Sequence, residues 1–148
     1  LGEWNNMKEV IGDFWDYHAD YYIITTNGTR TRQGLAVMGI GLALQAKNKI
    51  RGIEKRLGDL LHLSGNHVLW IDDQYLSFPV KYHWHERADI KLIERSAKEL
   101  SIIANVKPNN IFLTVRPGCG NGRLRWEDVK SVIENILPDN VHVINYEK

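Results

Sequence analysis

The sequence predicts an α/β fold, with helices on both faces of a largely parallel sheet. Three features carry that expectation. Short runs rich in β-branched and aromatic residues alternate with segments whose apolar positions recur every three or four residues. Glycine-bearing loops separate several of these segments. No repeat, linker or low-complexity stretch interrupts the alternation, and 148 residues is an ordinary size for one domain, read here as spanning 1–148.

Taken in order, Leu1 to Asn6 precede Met7 and read as an upstream extension or a cloning remnant. Tyr21-Tyr22-Ile23-Ile24-Thr25-Thr26 reads as a buried strand stopped by Asn27-Gly28. After Val37-Met38-Gly39-Ile40-Gly41 the pattern becomes helical from Leu42, and a second helix is expected over 53–61, ended by Gly65-Asn66. Residues 67–71 and 75–78 read as two short strands around Asp72-Asp73. Ile90, Ile93, Ala97, Leu100 and Ile103 mark an amphipathic helix over 88–104. Residues 110–115 form a strand running into a glycine loop, 126–137 a helix stopped by Pro138, and 141–145 a closing strand.

Nineteen basic against 18 acidic residues leave a net charge of +1, too balanced for a protein held to nucleic acid by charge alone. A single cysteine, Cys119, excludes an intramolecular disulfide and a cysteine-based metal site, and fits a reducing cytoplasm. No apolar run reaches the ~20 residues of a spanning helix, and no secretory signal pattern is present, so no membrane partner is expected.

In open α/β sheets ligands sit beyond the carboxyl ends of strands. Two loops occupy that place: Val37-Met38-Gly39-Ile40-Gly41-Leu42-Ala43, and Pro117-Gly118-Cys119-Gly120-Asn121-Gly122. Glycines let backbone N–H groups approach a phosphate, and a helix N-terminus adds a favourable dipole. Two such loops suit a pyrophosphate. Ordinary tight turns are the alternative. Neither loop has the spacing of the dinucleotide fingerprint, and there is no Walker lysine.

Gly12-Asp13, Thr26-Asn27, Val37-Met38-Gly39-x-Gly41-x-Ala43 and Gly118-Cys119-Gly120 together resemble the macro domains, in order and spacing, from about Val10 to Asn145. The likeness is greatest to the branch that holds terminal ADP-ribose glycohydrolase and the macro domain of the DNA ADP-ribosyl glycohydrolase antitoxin. Phe78-Pro79-Val80-Lys81-x-His83-Trp84 and Leu124-x-Trp126 carry it. The resemblance implies a three-layer α/β/α macro-domain sandwich with a mixed central sheet. It implies ADP-ribose as ligand, with no resident cofactor or metal, and ADP-ribosylated DNA or protein as partner to a monomer. By position, Asp13 would accept from the adenine amino group, with Phe14 beside it, and Thr26 and Asn27 would line the distal ribose. Gly39, Ile40 and Gly41 would line one phosphate, with Val37, Met38 and Ala43 also among the ligand-binding residues. Gly118, Cys119, Gly120, Asn121 and Gly122 would line the other, with Pro117 also ligand-binding. Lys81 matches that branch's catalytic lysine.

A lysine can attack an anomeric carbon only as the neutral amine, so its pKa must fall through desolvation or a nearby cation. Lys81 follows an apolar segment, and Arg116, His83 and Arg123 are candidate cations. Two departures from the family pattern matter. Gly122 stands where the terminal glycohydrolase has an aspartate that resolves the covalent intermediate; the antitoxin branch also has glycine. Ile40 replaces a frequent lysine or arginine. The expected activity is that of a mono-ADP-ribosyl glycohydrolase; a non-catalytic ADP-ribose reader, and a hydrolase of a small ADP-ribose derivative, are the alternatives.

Other residues read more plainly. His83 and His85, with Glu86 and Asp89, would make an incomplete metal site and read better as a polar rim. Trp84 and Trp126 read as packing residues, with base stacking the alternative for Trp84. Phe14 and Tyr17 divide evenly between adenine cover and core. Arg30, Arg32, Lys47, Lys49 and Arg51 read as solvated faces that could hold a DNA backbone.

Overall fold

A computed structural model describes residues 6–147. The reading of the first residues as an extension falls, apart from Asn6, outside that range. The elements are β1 (Lys8–Ile11), β2 (Tyr21–Asn27), α1 (Gly41–Lys49), α2 (Ile53–Ser64), β3 (Tyr75–Lys81), α3 (Ile90–Asn105), β4 (Phe112–Val115), α4 (Trp126–Ile133) and β5 (Val141–Asn145). They build one five-stranded sheet in the order β1-β5-β4-β2-β3.

Successive side chains of a strand face opposite ways, and consecutive apolar pairs here serve both faces. Ile23, Phe112 and Val143 pack toward α3 and α4, against Ile93, Leu100, Val129 and Ile133. Ile24, Leu113 and Ile144 pack toward α1 and α2, against Ala43, Ala46, Ile53 and Leu57. Most of these side chains are fully buried, each contributing about 1.5–3 kcal/mol. The result is the expected three-layer α/β/α sandwich.

The sheet is not mixed. Every strand pairing among the described residues is parallel, and antiparallel contact is confined to two isolated bridges, Arg30↔Ala36 and Trp70↔Leu76. The expected strand at 67–71 is instead an irregular cover along the outer edge of β3. It keeps two backbone bonds to β3, Ser77 N–H to Leu69 C=O at 2.9 Å and Ile71 N–H to Tyr75 C=O at 2.8 Å, but Leu69 N–H donates to the Ser77 hydroxyl at 3.0 Å and that hydroxyl donates to His67 C=O at 2.9 Å, so a single isolated bridge forms rather than a strand. Strand β1 carried too little apolar signal to be read: its four residues are mostly exposed. Helix α3 starts later than expected because the Asp89 carboxylate caps it, accepting from Lys91 and Leu92 N–H. Helix α4 ends at Ile133, with turns continuing to Pro138.

Candidate functional site

Parallel strands place all their carboxyl ends on one side, and a cleft of about 470 Å³ opens there. The strand order sets what faces it. At one edge, Gly12 and Asp13 follow β1, while Asn145 ends β5 and Tyr146 follows it. In the middle lie the loop after β4 and the start of α1. At the other edge lie Asn27, ending β2, and Lys81, ending β3. Four interstrand spacings of about 4.8 Å put roughly 19 Å between the two edges.

Lys81 owes its place to an irregularity. Thr26 pairs with Pro79 but Asn27 pairs with Lys81, so the register slips by one residue just before the lysine. A bulge re-aims the side chain that follows it, and Pro79 is tolerated because β3 is an edge strand. The departing segment is then held at every carbonyl. Ser96 Oγ donates to Pro79 C=O at 2.7 Å, Asp89 N–H to Val80 C=O at 2.9 Å, Asn66 Nδ2 to Lys81 C=O at 3.1 Å and Gly28 N–H to Tyr82 C=O at 3.1 Å. Arg95 donates to the Asn66 carbonyl, tying that clamp to α3. Lys81 Nζ reaches Trp84 C=O at 3.3 Å. Partial burial first, and then the positive charge of Arg123, lower the lysine's pKa below its ordinary value.

The two glycine loops meet across the cleft. Gly41 has φ +59°, and a β-carbon there would lie 2.6 Å from Asn121 Nδ2. Helix α1 begins at Gly41 with no side-chain cap on its N-cap residue Ile40, so its first N–H groups remain as donors at the cleft. In the second loop a β-carbon on Gly122 would meet Gly118 C=O at 2.5 Å and Ala88 Cβ at 2.7 Å. The loop closes on itself at that point, and a carboxylate side chain has no room without moving it. Cys119 beside it is pushed up to about 11 by burial, which keeps it a neutral thiol at neutral pH.

At the β1 edge, Asp13 accepts from Trp15 N–H at 2.8 Å and from the Tyr146 hydroxyl at 2.6 Å, and these bonds lower its pKa. Trp15, also lining the cleft, donates from its indole to Gln45 at 2.8 Å and lies under Lys49.

Of the expected site residues, Asp13, Phe14, Thr26, Asn27, Ile40, Gly41, Ala43, Lys81 and 118–122 line the cleft. Val37, Met38, Gly39 and Pro117 do not. The Val37 carbonyl is taken by Asn27 Nδ2 at 3.0 Å, Met38 is buried in the core, Pro117 is buried behind its loop, and Gly39 is exposed outside the cleft. Asn27 spends further capacity on Thr29 N–H, which its Oδ1 accepts at 2.9 Å. Phe14 is 6% exposed and meets Trp15 and Tyr22 edge to face, so it supports the cleft wall from the core. Tyr17 bonds to His142 Nδ1 at 3.0 Å. His83 and His85 stack on each other, Glu86 accepts from His83 N–H, and Asp89 caps α3, so these four groups have structural partners. Trp126 packs under Arg116 and donates to Glu9, yet also lines the cleft.

The sequence matches no family model and no curated protein. Solved structures do match. The macrodomain of Mycobacterium tuberculosis DarG superposes with a TM-score of 0.76 at 20% identity, over 95% of this chain and 97% of that one. The macrodomain of Thermus aquaticus DarG gives 0.75 at 22% identity, over 96% and 98%. This chain has the macrodomain fold. A third match is Thermosipho africanus DarTG in complex with ADP-ribose, with TM-score 0.75 and 22% identity, where 97% of this chain covers 42% of that one. The cleft is made largely by strand ends, the loops that follow them and the start of α1. Trp15 and Tyr146 are two lining residues that the sequence did not disclose. Trp15 stands two positions from Asp13 and could have been found by proximity; Tyr146 gave no signal, since its partner is 133 positions away. No helix among the described residues is long and apolar enough to cross a membrane.

Proposed function

We propose that the cleft binds ADP-ribose and that Lys81 removes it, as a mono-ADP-ribosyl glycohydrolase, from a nucleobase or a protein carboxylate. The order of groups along the cleft carries this reading. A carboxylate, Asp13, stands at the β1 edge; glycine loops and the open start of α1 stand in the middle; a lysine of lowered pKa stands at the β3 edge. Adenine, pyrophosphate and distal ribose follow one another in the same order, over a length comparable to the roughly 19 Å between the sheet's edges. The ADP-ribose in the Thermosipho africanus DarTG structure supports the ligand class.

In this reading the neutral Lys81 amine attacks the anomeric carbon of the distal ribose. The carbon–nitrogen bond forms, the bond to the modified group breaks, and that group leaves with the electron pair and takes up a proton. Ring opening gives an imine. Water then hydrolyses it, releasing ADP-ribose and restoring the amine. Arg123 and burial favour the neutral amine, and Trp84 C=O orients it. Gly122 offers no carboxylate for the second step, so a water held by the bound phosphates serves there.

The test is calorimetric titration with ADP-ribose of the wild type and Lys81→Ala, alongside borohydride trapping on ADP-ribosylated DNA and protein. Binding by both proteins, with a reduced adduct on the wild type alone, is expected. Absence of binding by the wild type would remove the reading. The crowded Gly122 position favours one rival, a reader that binds ADP-ribose without cleaving it; binding with no adduct and no turnover would establish it.

A further inference from the structure

Helix α3 carries a charged cluster outside the cleft. Arg95 and Glu99, one turn apart, lie against the segment 66–68 that follows α2, and His67 completes the group. Both Glu99 oxygens are spent on that one segment. Oε1 accepts from Val68 N–H at 2.8 Å, and Oε2 pairs with His67 Nδ1 at 2.7 Å. Arg95 donates to the main-chain carbonyl of Asn66. Apart from the Asn66 side chain, the bonds from this segment to β3 begin only at His67 C=O, which accepts from the Ser77 hydroxyl. Asn66 is therefore placed from α3 rather than from the sheet. It has little slack: its side chain donates to Lys81 C=O at 3.1 Å, and a β-carbon on Gly28 would stand 3.0 Å from its carboxamide. The same turn of α3 also holds β3 directly. Ser96, three residues before Glu99 and so on the same helix face, donates to Pro79 C=O at 2.7 Å. The contacts close a ring: Glu99, segment 66–68, Lys81, Pro79, Ser96 and back along α3.

We infer that Glu99 is a positioning residue for Lys81: from α3 it fixes Asn66, and Asn66 fixes the peptide from which the attacking amine extends. The inference rests on the reading of Lys81 given above. Glu99 lines no part of the cleft, so its effect on the reaction passes through Asn66. A small displacement of an attacking group costs rate without costing binding made elsewhere along the cleft. Two consequences of removing the carboxylate have opposite signs, which separates position from charge. Loss of a negative charge favours the neutral amine, so a field effect alone lowers the Lys81 pKa further. A lysine released from its partly buried place beside Arg123 loses both causes of its lowered pKa, which then rises. His67 and Arg95 are the charged or titratable groups against Glu99, and Arg123 is the cation that acts on Lys81.

The test compares the wild type with Glu99→Ala, Glu99→Gln, Asn66→Ala and the double alanine variant. ADP-ribose affinity is read by calorimetry, which also reports that each variant is folded. The rate of the borohydride-trapped adduct is read across pH, on whichever ADP-ribosylated substrate labels the wild type. Glu99→Ala should slow the adduct about fivefold, leave the affinity unchanged, and move the ascending limb of the rate to higher pH. The double variant should be no slower than Asn66→Ala, because the two residues act along one path. Glu99→Gln should keep most of the rate and leave the limb no higher than in the wild type. Its carbonyl can accept from Val68 N–H, and its amide can donate to a neutral His67 Nδ1. The inference is overturned if Glu99→Ala loses affinity and rate equally, if the losses multiply in the double variant, if the limb stays or moves to lower pH, or if Glu99→Gln is as slow as Glu99→Ala. Absence of any adduct on the wild type would instead bring down the reading of Lys81 itself, and is seen before any variant is compared.

Discussion

The two ends of the cleft are built differently. At the β3 edge, four successive carbonyls, 79 to 82, each have a donor from another part of the chain, including the buried hydroxyl of Ser96. At the β1 edge the polar pair is Asp13 and Tyr146, an exposed bond between a loop and the last residues of the chain. Exposed polar pairs hold geometry weakly, whereas buried, fully paired backbone holds it to a fraction of an ångström. The contrast fits a division of labour: one end must present a nucleophile at a fixed point, and the other need only accept a ring.

The glycine loop between these ends is where the contrast breaks most easily. Gly122→Asp puts a side chain where Gly118 C=O and Ala88 already stand. Overpacking of this kind costs about 1–3 kcal/mol. The variant should lose that much stability in urea and bind ADP-ribose at least tenfold more weakly, a loss of about 1.4 kcal/mol, without gaining a resolving carboxylate. A Gly122→Asp protein of full stability with faster turnover would show that the loop opens more freely than its packing implies.

Next in size is the Asn66 clamp. Asn66→Ala frees the Lys81 carbonyl, keeps the Arg95 bond to the main-chain carbonyl of residue 66, and changes a residue that is not itself part of the cleft lining. The rate of borohydride-trapped adduct should fall about tenfold, the cost of one lost positioning contact of about 1.4 kcal/mol, with the affinity for ADP-ribose unchanged. Equal losses in rate and affinity would mean that Asn66 supports the cleft as a whole.

How much of this was written in the sequence follows from the range of each interaction. Strands β2, β4 and β5 declared themselves by short runs of β-branched and aromatic residues, and helices α2 and α3 by apolar residues at helical spacing, both legible within a short window. Lys81 and the glycine loops were found as local motifs. Strand β1 was missed, because it pairs only with β5 at the far end of the chain and exposes most of its side chains. The supposed strand at 67–71 has strand-forming residues, but Ser77 Oγ takes its Leu69 N–H and His67 C=O, leaving one isolated bridge to β3. Met38 and Pro117 belong to site motifs and yet are buried, and Val37 gives its carbonyl to Asn27 outside the cleft; a motif fixes a loop's path without saying which of its residues reach the cleft. Asn66 and Tyr146 were invisible because what they do depends on partners brought close only by the fold.

A smaller effect separates the two causes of Lys81's lowered pKa. Arg123 has φ +65°, so Arg123→Asn suits the backbone while removing the charge. Burial, the larger cause, stays; the cation's contribution goes, and the lysine's pKa rises. The amine then becomes neutral only at higher pH. The ascending limb of the adduct-formation rate should move to higher pH, with the plateau unaltered. A limb that does not move would assign the whole shift to burial.

The smallest effect is expected at the β1 edge. Tyr146→Phe removes the hydroxyl bond that is the largest cause of Asp13's lowered pKa, leaving the Trp15 N–H bond in place. The Asp13 pKa should rise toward the ordinary carboxyl value, as read by carbon NMR titration of the side chain. The sign follows from linkage: a carboxylate whose folded pKa is depressed adds stability above its unfolded pKa, and that stability is lost as pH falls through the folded value. The stability gap between wild type and Tyr146→Phe should therefore close in acid. Because the pair is exposed, the affinity for ADP-ribose should change by no more than about threefold, the low end for one hydrogen bond. A change as large as that of Gly122→Asp would mean that Tyr146 is as fixed a part of the site as the Lys81 segment, and that the two ends are alike after all.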